Sequence, residues 1–198
     1  IECGLYGIIF ISIIALLINF FFKLSPVLNT SLFILSFISL IQCISDRSII
    51  DIVIKSILSG LIITITLTLD NIYRPDGGMY HLPFISILNE NKILLGISNI
   101  HFRFGFISII QYLSAISNNF IFKENGITLA ACSIYSFTIL FFLKEIFNKD
   151  KNRLITLSSI LFLFFVLYEF NRFGEHGNDE TAHMFLFISV IFFLKINE

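Results

Sequence analysis

The sequence predicts an all-α fold: a polytopic transmembrane helical bundle with interfacial, juxtamembrane helices in a long extracytoplasmic loop. Three observations carry that expectation. The 198 residues are 56% hydrophobic and only 14% charged, with a mean hydropathy of +0.89. A soluble domain of this size has too little interior to hide so much apolar surface. The apolar residues come in runs long enough to cross roughly 30 Å of hydrocarbon. The polar and turn-forming residues, in contrast, gather in two stretches, 70–105 and 171–180.

Taken in order, residues 5–22 form the first span, ended by the segment from Lys23 to Pro26 because proline cannot continue a helix interior. Residues 27–44 form a second span, whose Asn29, Thr30 and serines can hydrogen-bond neighbouring helices. After an Asp46-Arg47 turn, residues 49–69 make the third, with Asp51 and Lys55 four apart on one face. Pro75-Asp-Gly-Gly then reads as a turn. Residues 82–95 mix apolar side chains with Asn89, Glu90, Asn91 and Lys92, a pattern suited to a helix or helical hairpin lying in the interface.

Residues 104–122 leave two alternatives. They are apolar enough to cross, yet Ser108, Gln111, Ser114 and Asn118 recur at three- and four-residue steps and make a polar stripe. If this segment lies in the interface, residues 128–147, 154–170 and 181–196 are the fourth, fifth and sixth spans. The Lys/Arg-rich NKDKNR loop at 148–153 then faces the cytoplasm. The two polar stretches share the opposite face in that case, and face opposite sides in the other. The interfacial alternative is preferred. It divides the chain into two N-terminal transmembrane helices at 1–48 and a larger module at 49–198, with extracytoplasmic loops at 70–127 and 171–180. The chain starts at Ile1 and ends at Glu198 after an apolar run, so it reads as a piece of a longer protein with further helices C-terminal to it.

Composition narrows the function classes. The net charge is −1 with no basic stripe, which argues against nucleic acid as a partner. Cys3, Cys43 and Cys132 are scattered through apolar runs and read as small hydrophobes, not as a disulfide or metal site. With 25 Phe and no Trp, an aromatic belt must come from Phe and Tyr.

The candidate chemistry lies in the two polar stretches. Asp76 stands beside two glycines, which give a carboxylate room and let a ligand approach the backbone. At a membrane surface it can act as a general base toward an acceptor hydroxyl or help hold a divalent cation; the plain alternative is a solvated turn aspartate. Tyr80 and His81 follow as sugar or phosphate partners, with His81 equally readable as a simple interfacial histidine. His101 and Arg103 stand two apart, and the planar guanidinium suits a phosphate, or else snorkels to lipid headgroups. The second stretch, NRFGEHGNDET, gathers Arg172, Glu175, His176, Asn178, Asp179 and Glu180 within nine residues, broken by Gly174 and Gly177. Asp179 can cap the sixth helix and shares a helical face with His183. An oxygen-rich set of this kind, with Asp76, Asp179 and His176 as ligands, prefers Mg²⁺ or Mn²⁺ to zinc, so a divalent cation is the one cofactor to consider.

These residues carry a family resemblance. Asp76, Tyr80-His81, Gly96-Ile-Ser-Asn-Ile-His101, Arg103-Phe-Gly-Phe-Ile-Ser108 and Gly177-Asn178-Asp179 resemble the loop signatures of a family of bacterial membrane proteins similar to the GT-C glycosyltransferases. Ile107 departs from that pattern, where the family has Asn. The resemblance spans residues 70–185 or so. It implies a polyprenyl-phosphate-linked sugar as donor, a glycan or lipid as acceptor and an active site on the outer face of the bacterial cytoplasmic membrane. It also implies a catalytic role for Asp76, with Asp179 or Glu175 assisting, and substrate contacts from Tyr80, His81, His101, Arg103, Arg172 and Asn178. A lipid-linked saccharide polymerase, ligase or flippase, or a non-enzymatic assembly protein, would use similar loops. A secondary transporter fits less well, because the ionisable residues avoid mid-membrane.

Overall fold

The computed structural model describes residues 1–43, 47–69, 75–105, 108–148, 152–169, 176–177 and 179–196. Among these residues the fold is helical, with eight α-helices and no strand. They are α1 (Glu2–Phe21), α2 (Pro26–Cys43), α3 (Arg47–Leu69), α4 (Leu82–Glu90), α5 (Ile109–Ser117), α6 (Asn125–Ile146), α7 (Arg153–Tyr168) and α8 (Asp179–Ile196). Among the described residues, Glu2–Phe21, Ile49–Leu69 and Asn125–Ile146 are long and apolar enough to cross a membrane, and α2 and α7 are apolar but shorter.

Helix α6 is the axis of the bundle. Its Tyr135, Phe141 and Phe142 are fully buried against Leu5 and Ile8 of α1, Ile155 and Val166 of α7, and Met184, Ile188 and Ile191 of α8. α3 meets α6 along a seam of small residues. Gly60 faces Ser136, and Thr64 Oγ1 donates to Cys132 Sγ at 3.3 Å. Such residues let two backbones approach closely where lipid offers no hydrophobic drive. The rest of α3 is uncovered: Ile54, Ile57, Leu58, Leu61, Ile62 and Ile65 are all more than half exposed. A helix that is apolar on its open faces is soluble only in hydrocarbon.

Hydrogen bonds define the two ends of the bundle. At one end, Lys144 of α6 pairs with Glu2 of α1 at 2.6 Å. Beside it, Lys195 of α8 pairs with the buried Glu145 at 2.7 Å. At the other end, asparagine amides collect the carbonyls that finishing helices leave without partners. Asn89 donates to Leu24 O and Ala115 O, both at 2.8 Å. Asn29 reaches Leu24 O, Ala115 O and Asn118 O, and Asn118 donates to Asn89 Oδ1 at 2.8 Å. The Leu24 N–H adds a bond to Leu88 O at 3.0 Å. The turn between α1 and α2 is thereby fastened to α4 and α5.

Residues 104–122 do not form one long helix. A 3₁₀ turn, Phe102–Gly105, precedes the nine-residue α5, and a tight reversal at Asn119–Lys123 leads into α6. At 1.5 Å per residue α5 is about 14 Å long, under half of a bilayer's hydrocarbon thickness. The chain therefore enters and leaves this region at the same end of the bundle.

The Pro75-Asp-Gly-Gly turn is a correction. Pro75 and Asp76 are already helical, and Gly77–His81 continues them as a π-turn into α4. Proline suits the first turn of a helix, where its missing N–H is not needed. Downstream, Pro83 cannot donate to Met79 O and its ring crowds that carbonyl. The backbone widens instead, so that Leu82 N–H bonds Gly77 O five residues back.

Candidate functional site

The wider π-turn sets the directions of three functional side chains, Asp76, Tyr80 and His81. Asp76 and Tyr80 fall on one side of it and His81 turns inward. Tyr80 Oη donates to Asp76 Oδ2 at 3.0 Å, and the same phenol oxygen accepts from Arg103 Nη1 at 3.2 Å. Arg103 also lies over the Tyr80 ring, 4.8 Å from its centroid, and over Phe102 at 5.5 Å. His101 completes the group, stacked at 6.3 Å from Tyr80 and 5.2 Å from Phe102. The result is a linear chain, guanidinium to phenol to carboxylate. Burial and the Asp76 carboxylate push the Tyr80 hydroxyl above its ordinary range, so it stays a proton donor.

His81 is buried and meets Gln111, whose Nε2 lies 3.5 Å from Nδ1. Gln111 has its own carbonyl oxygen turned to the Ser108 N–H at 3.3 Å, closing the capping box of α5. Its amide nitrogen is thus the group facing His81, which assigns Nδ1 as acceptor and puts the ring proton on Nε2. That Nε2 points toward the second polar stretch. A Cβ on Gly177 would lie 3.5 Å from His81 Nε2 and 3.3 Å from Glu180 Oε2. The two stretches therefore meet. Asp76, Asp179, His176 and Arg103 all stand close enough to His81 to bias its protonation, and Asp179 bears on Tyr80 as well.

Of the residues expected to act, Asp76, Tyr80, His81, His101 and Arg103 come together. Asp179 opens α8 with its side chain exposed, whereas the neighbouring Glu180 is buried with a carboxylate oxygen beside Gly177. His176 is half-buried on a left-handed backbone, φ 56°, a conformation that costs a non-glycine residue roughly 1 kcal/mol. Glu175, Arg172 and Asn178 lie outside the described residues. Sequence reasoning missed Gln111 and Glu180 as site residues. Gln111 was visible only as one member of a polar stripe, and Glu180 as the partner of a more conspicuous Asp179.

Among the described residues no group of three or more His, Cys, Asp or Glu side chains converges, and Asp76 Oδ2 is occupied by Tyr80. His183, four residues after Asp179, lies against the aromatic rings of Phe165 and Phe187.

Burial holds both His81 and His176 below the ordinary imidazole range. The unfolded chain therefore takes up protons first as pH falls. The stability these residues leave intact above about pH 6.5 is lost on acidification below it. We expect the detergent-solubilised protein to melt at lower temperature at pH 5.5 than at 7.5, and His81→Gln to shrink that difference. An equal acid loss in His81→Gln would remove His81 as its source.

The whole chain, residues 1–198, matches the model of a family described as Domain of unknown function (DUF8201), and the chain belongs to that family. No curated protein and no solved structure matches it.

Proposed function

We propose that this DUF8201 member is a membrane glycosyltransferase that moves a sugar from a polyprenyl-phosphate donor to a glycan or lipid acceptor on the extracytoplasmic face of the bacterial cytoplasmic membrane. In this reading α1, α2, α3, α6, α7 and α8 are the spans, and the arm from Pro75 to Ser117 lies in the interface. The Lys/Arg-rich connection between α6 and α7 then lies on the cytoplasmic side, with the ion-paired end of the bundle.

The observation that carries the proposal is the setting of Arg103. Its guanidinium belongs to the Asp76–Tyr80 chain, and the segment around it bears exposed apolar side chains: Leu95 is 94% exposed, Ile100 79% and Phe102 66%. A fixed positive charge framed by residues that prefer lipid suits a phosphate carrying a long apolar tail. It suits a soluble nucleotide less well.

The chemistry then follows from the chain's own groups. Tyr80 holds Asp76 Oδ2, and the other carboxylate oxygen takes the proton of the acceptor hydroxyl. The acceptor oxygen forms a bond to the anomeric carbon as the bond from that carbon to the lipid phosphate breaks. Arg103 swings from Tyr80 to the departing phosphate and offsets its charge. Asp179, at the mouth, adds negative potential near the sugar.

The test is release of polyprenyl phosphate from a polyprenyl-phosphate sugar by the full-length protein in liposomes. Arg103→Ala removes a charge-assisted hydrogen bond of about 1.5–3 kcal/mol and should slow release on the order of 10–100-fold. A protein that binds the donor but never releases lipid phosphate is not a transferase.

A further inference from the structure

The π-turn and α4 have a second side, away from Arg103. A cleft of about 700 Å³ opens there between α4, the start of α6 and His176. We infer that this cleft binds the acceptor, and that the acceptor is an uncharged or amine-bearing saccharide. The word acceptor rests on the glycosyl-transfer reading; the class of ligand does not.

The lining sets that class. Glu90, Glu124, Asn118, Asn125, Thr128 and His176 present carboxylates, amides, a hydroxyl and an imidazole. Carboxylate and amide groups bind vicinal hydroxyls through paired hydrogen bonds, and carboxylates also bind ammonium. Among the described residues no Lys or Arg lines the cleft. A phosphate, sulfate or uronate would meet the carboxylates of Glu90 and Glu124 with no Lys or Arg among the described lining residues to offset them, and like charges in a partly desolvated site repel. An apolar floor from Leu82, Ile85 and Ile127 gives the C–H faces of sugar rings a surface to lie on. The volume is within the range of small-molecule sites and holds the end of an oligosaccharide.

Position links the cleft to the reaction. Gly78 and Leu82 line it, while Asp76 and Tyr80 stand across the same turn of backbone. Gly78 has no side chain to block that crossing. A sugar hydroxyl at the Gly78 edge would approach Asp76 from the side opposite the lipid phosphate, the direction an in-line displacement needs. At the far end, His176 closes the cleft beside Gly177 and His81.

The experiment titrates full-length protein in nanodiscs with three probes of matched size: maltotriose, the glucosamine trisaccharide and trigalacturonate. Maltotriose and the glucosamine trisaccharide should bind at least about tenfold more tightly than trigalacturonate, a difference of about 1.4 kcal/mol. The double substitution Glu90→Gln, Glu124→Gln should close the gap between the cationic and acidic probes. Ser86→Trp, on the exposed side of α4 at the cleft wall, should abolish binding of all three, and Thr128→Trp should do the same from α6. Equal or tighter binding of trigalacturonate overturns the inference. So does the absence of binding by any probe, or binding untouched by both tryptophans. Arg103→Ala separates the two readings, since it should leave saccharide binding alone while slowing lipid-phosphate release. Normal saccharide binding by a protein that releases no lipid phosphate would sink the transferase reading and leave the cleft assignment standing.

Discussion

Gly126→Ala should strongly destabilise the bundle, and a methyl there meets the closest backbone contact of any glycine whose surroundings are described. A Cβ at Gly126 would lie 1.9 Å from Ser117 O, 2.7 Å from Ser117 C and 3.3 Å from Asn118 N. All three are backbone atoms, so no side chain can swing clear. Relief requires α5 to move away from the first turn of α6, and α5 is not free to move. Its final carbonyls are held by Asn29 and Asn89, and Asn118 is bonded to both. Shifting α5 also drags Gln111 away from His81. Overpacking usually costs 1–3 kcal/mol, and an overlap with fixed backbone belongs at or above the upper end, about 3 kcal/mol. Gly7→Ala is the internal control. Nothing lies within 4 Å of a Cβ there, and in the middle of α1 alanine should stabilise by up to about 1 kcal/mol. Thermal unfolding in detergent should lower the melting temperature of Gly126→Ala by many degrees and leave Gly7→Ala level or raised. Equal melting of the two variants would contradict the close packing of α5 on α6.

The long helices were legible because hydropathy reports them directly. The expected spans correspond to α1, α2, α3, α6, α7 and α8, with ends shifted by a few residues. The polar arm was harder for a physical reason. In a soluble helix a polar stripe faces outward, and the stripe in α5 would be read that way. Here Gln111 and Ser114 are buried, while Phe120 and Ile121 just beyond are more than half exposed. The helix ends in this arm leave backbone carbonyls without helical partners, and the amides of Asn29 and Asn89 turn inward to meet them. Composition alone does not distinguish those two arrangements.

The site shows the same limit. The residues that cluster, Asp76, Tyr80, His81 and Arg103, are those whose density in one short stretch marked them. What the sequence does not display is direction. The Pro-Asp-Gly-Gly run reads as a turn from its composition, yet it is helical, and Pro83, eight residues after Pro75, leaves it slightly wide. Asp179 and Glu180 are neighbours, and one helical step of 100° turns one of them to solvent and the other into the interior beside Gly177. Such choices depend on how α8 docks against α6, which no local pattern encodes.

Asp76→Asn should lower sugar transfer by about 10²–10⁴-fold, the range of a lost general base, without disturbing the fold. Asparagine has the same shape and keeps an oxygen to accept the Tyr80 hydroxyl, so the guanidinium–phenol chain should persist. The amide cannot take a proton from the acceptor at neutral pH, and that is the only function removed. Three measurements make the claim specific. Melting temperature and membrane yield should match the parent within error. Turnover at saturating donor should fall while the apparent donor affinity changes little, because the proposed mechanism gives the phosphate contact to Arg103. Asp76→Glu should recover part of the rate, since it restores basicity with a displaced carboxylate. Tyr80→Phe supplies the contrast. It leaves the base but frees it from its only described hydrogen bond, so it should cost much less than Asp76→Asn. If Asp76→Asn transfers sugar at the parental rate, the base lies elsewhere, and the buried Glu180 beside Gly177 is the next carboxylate to remove.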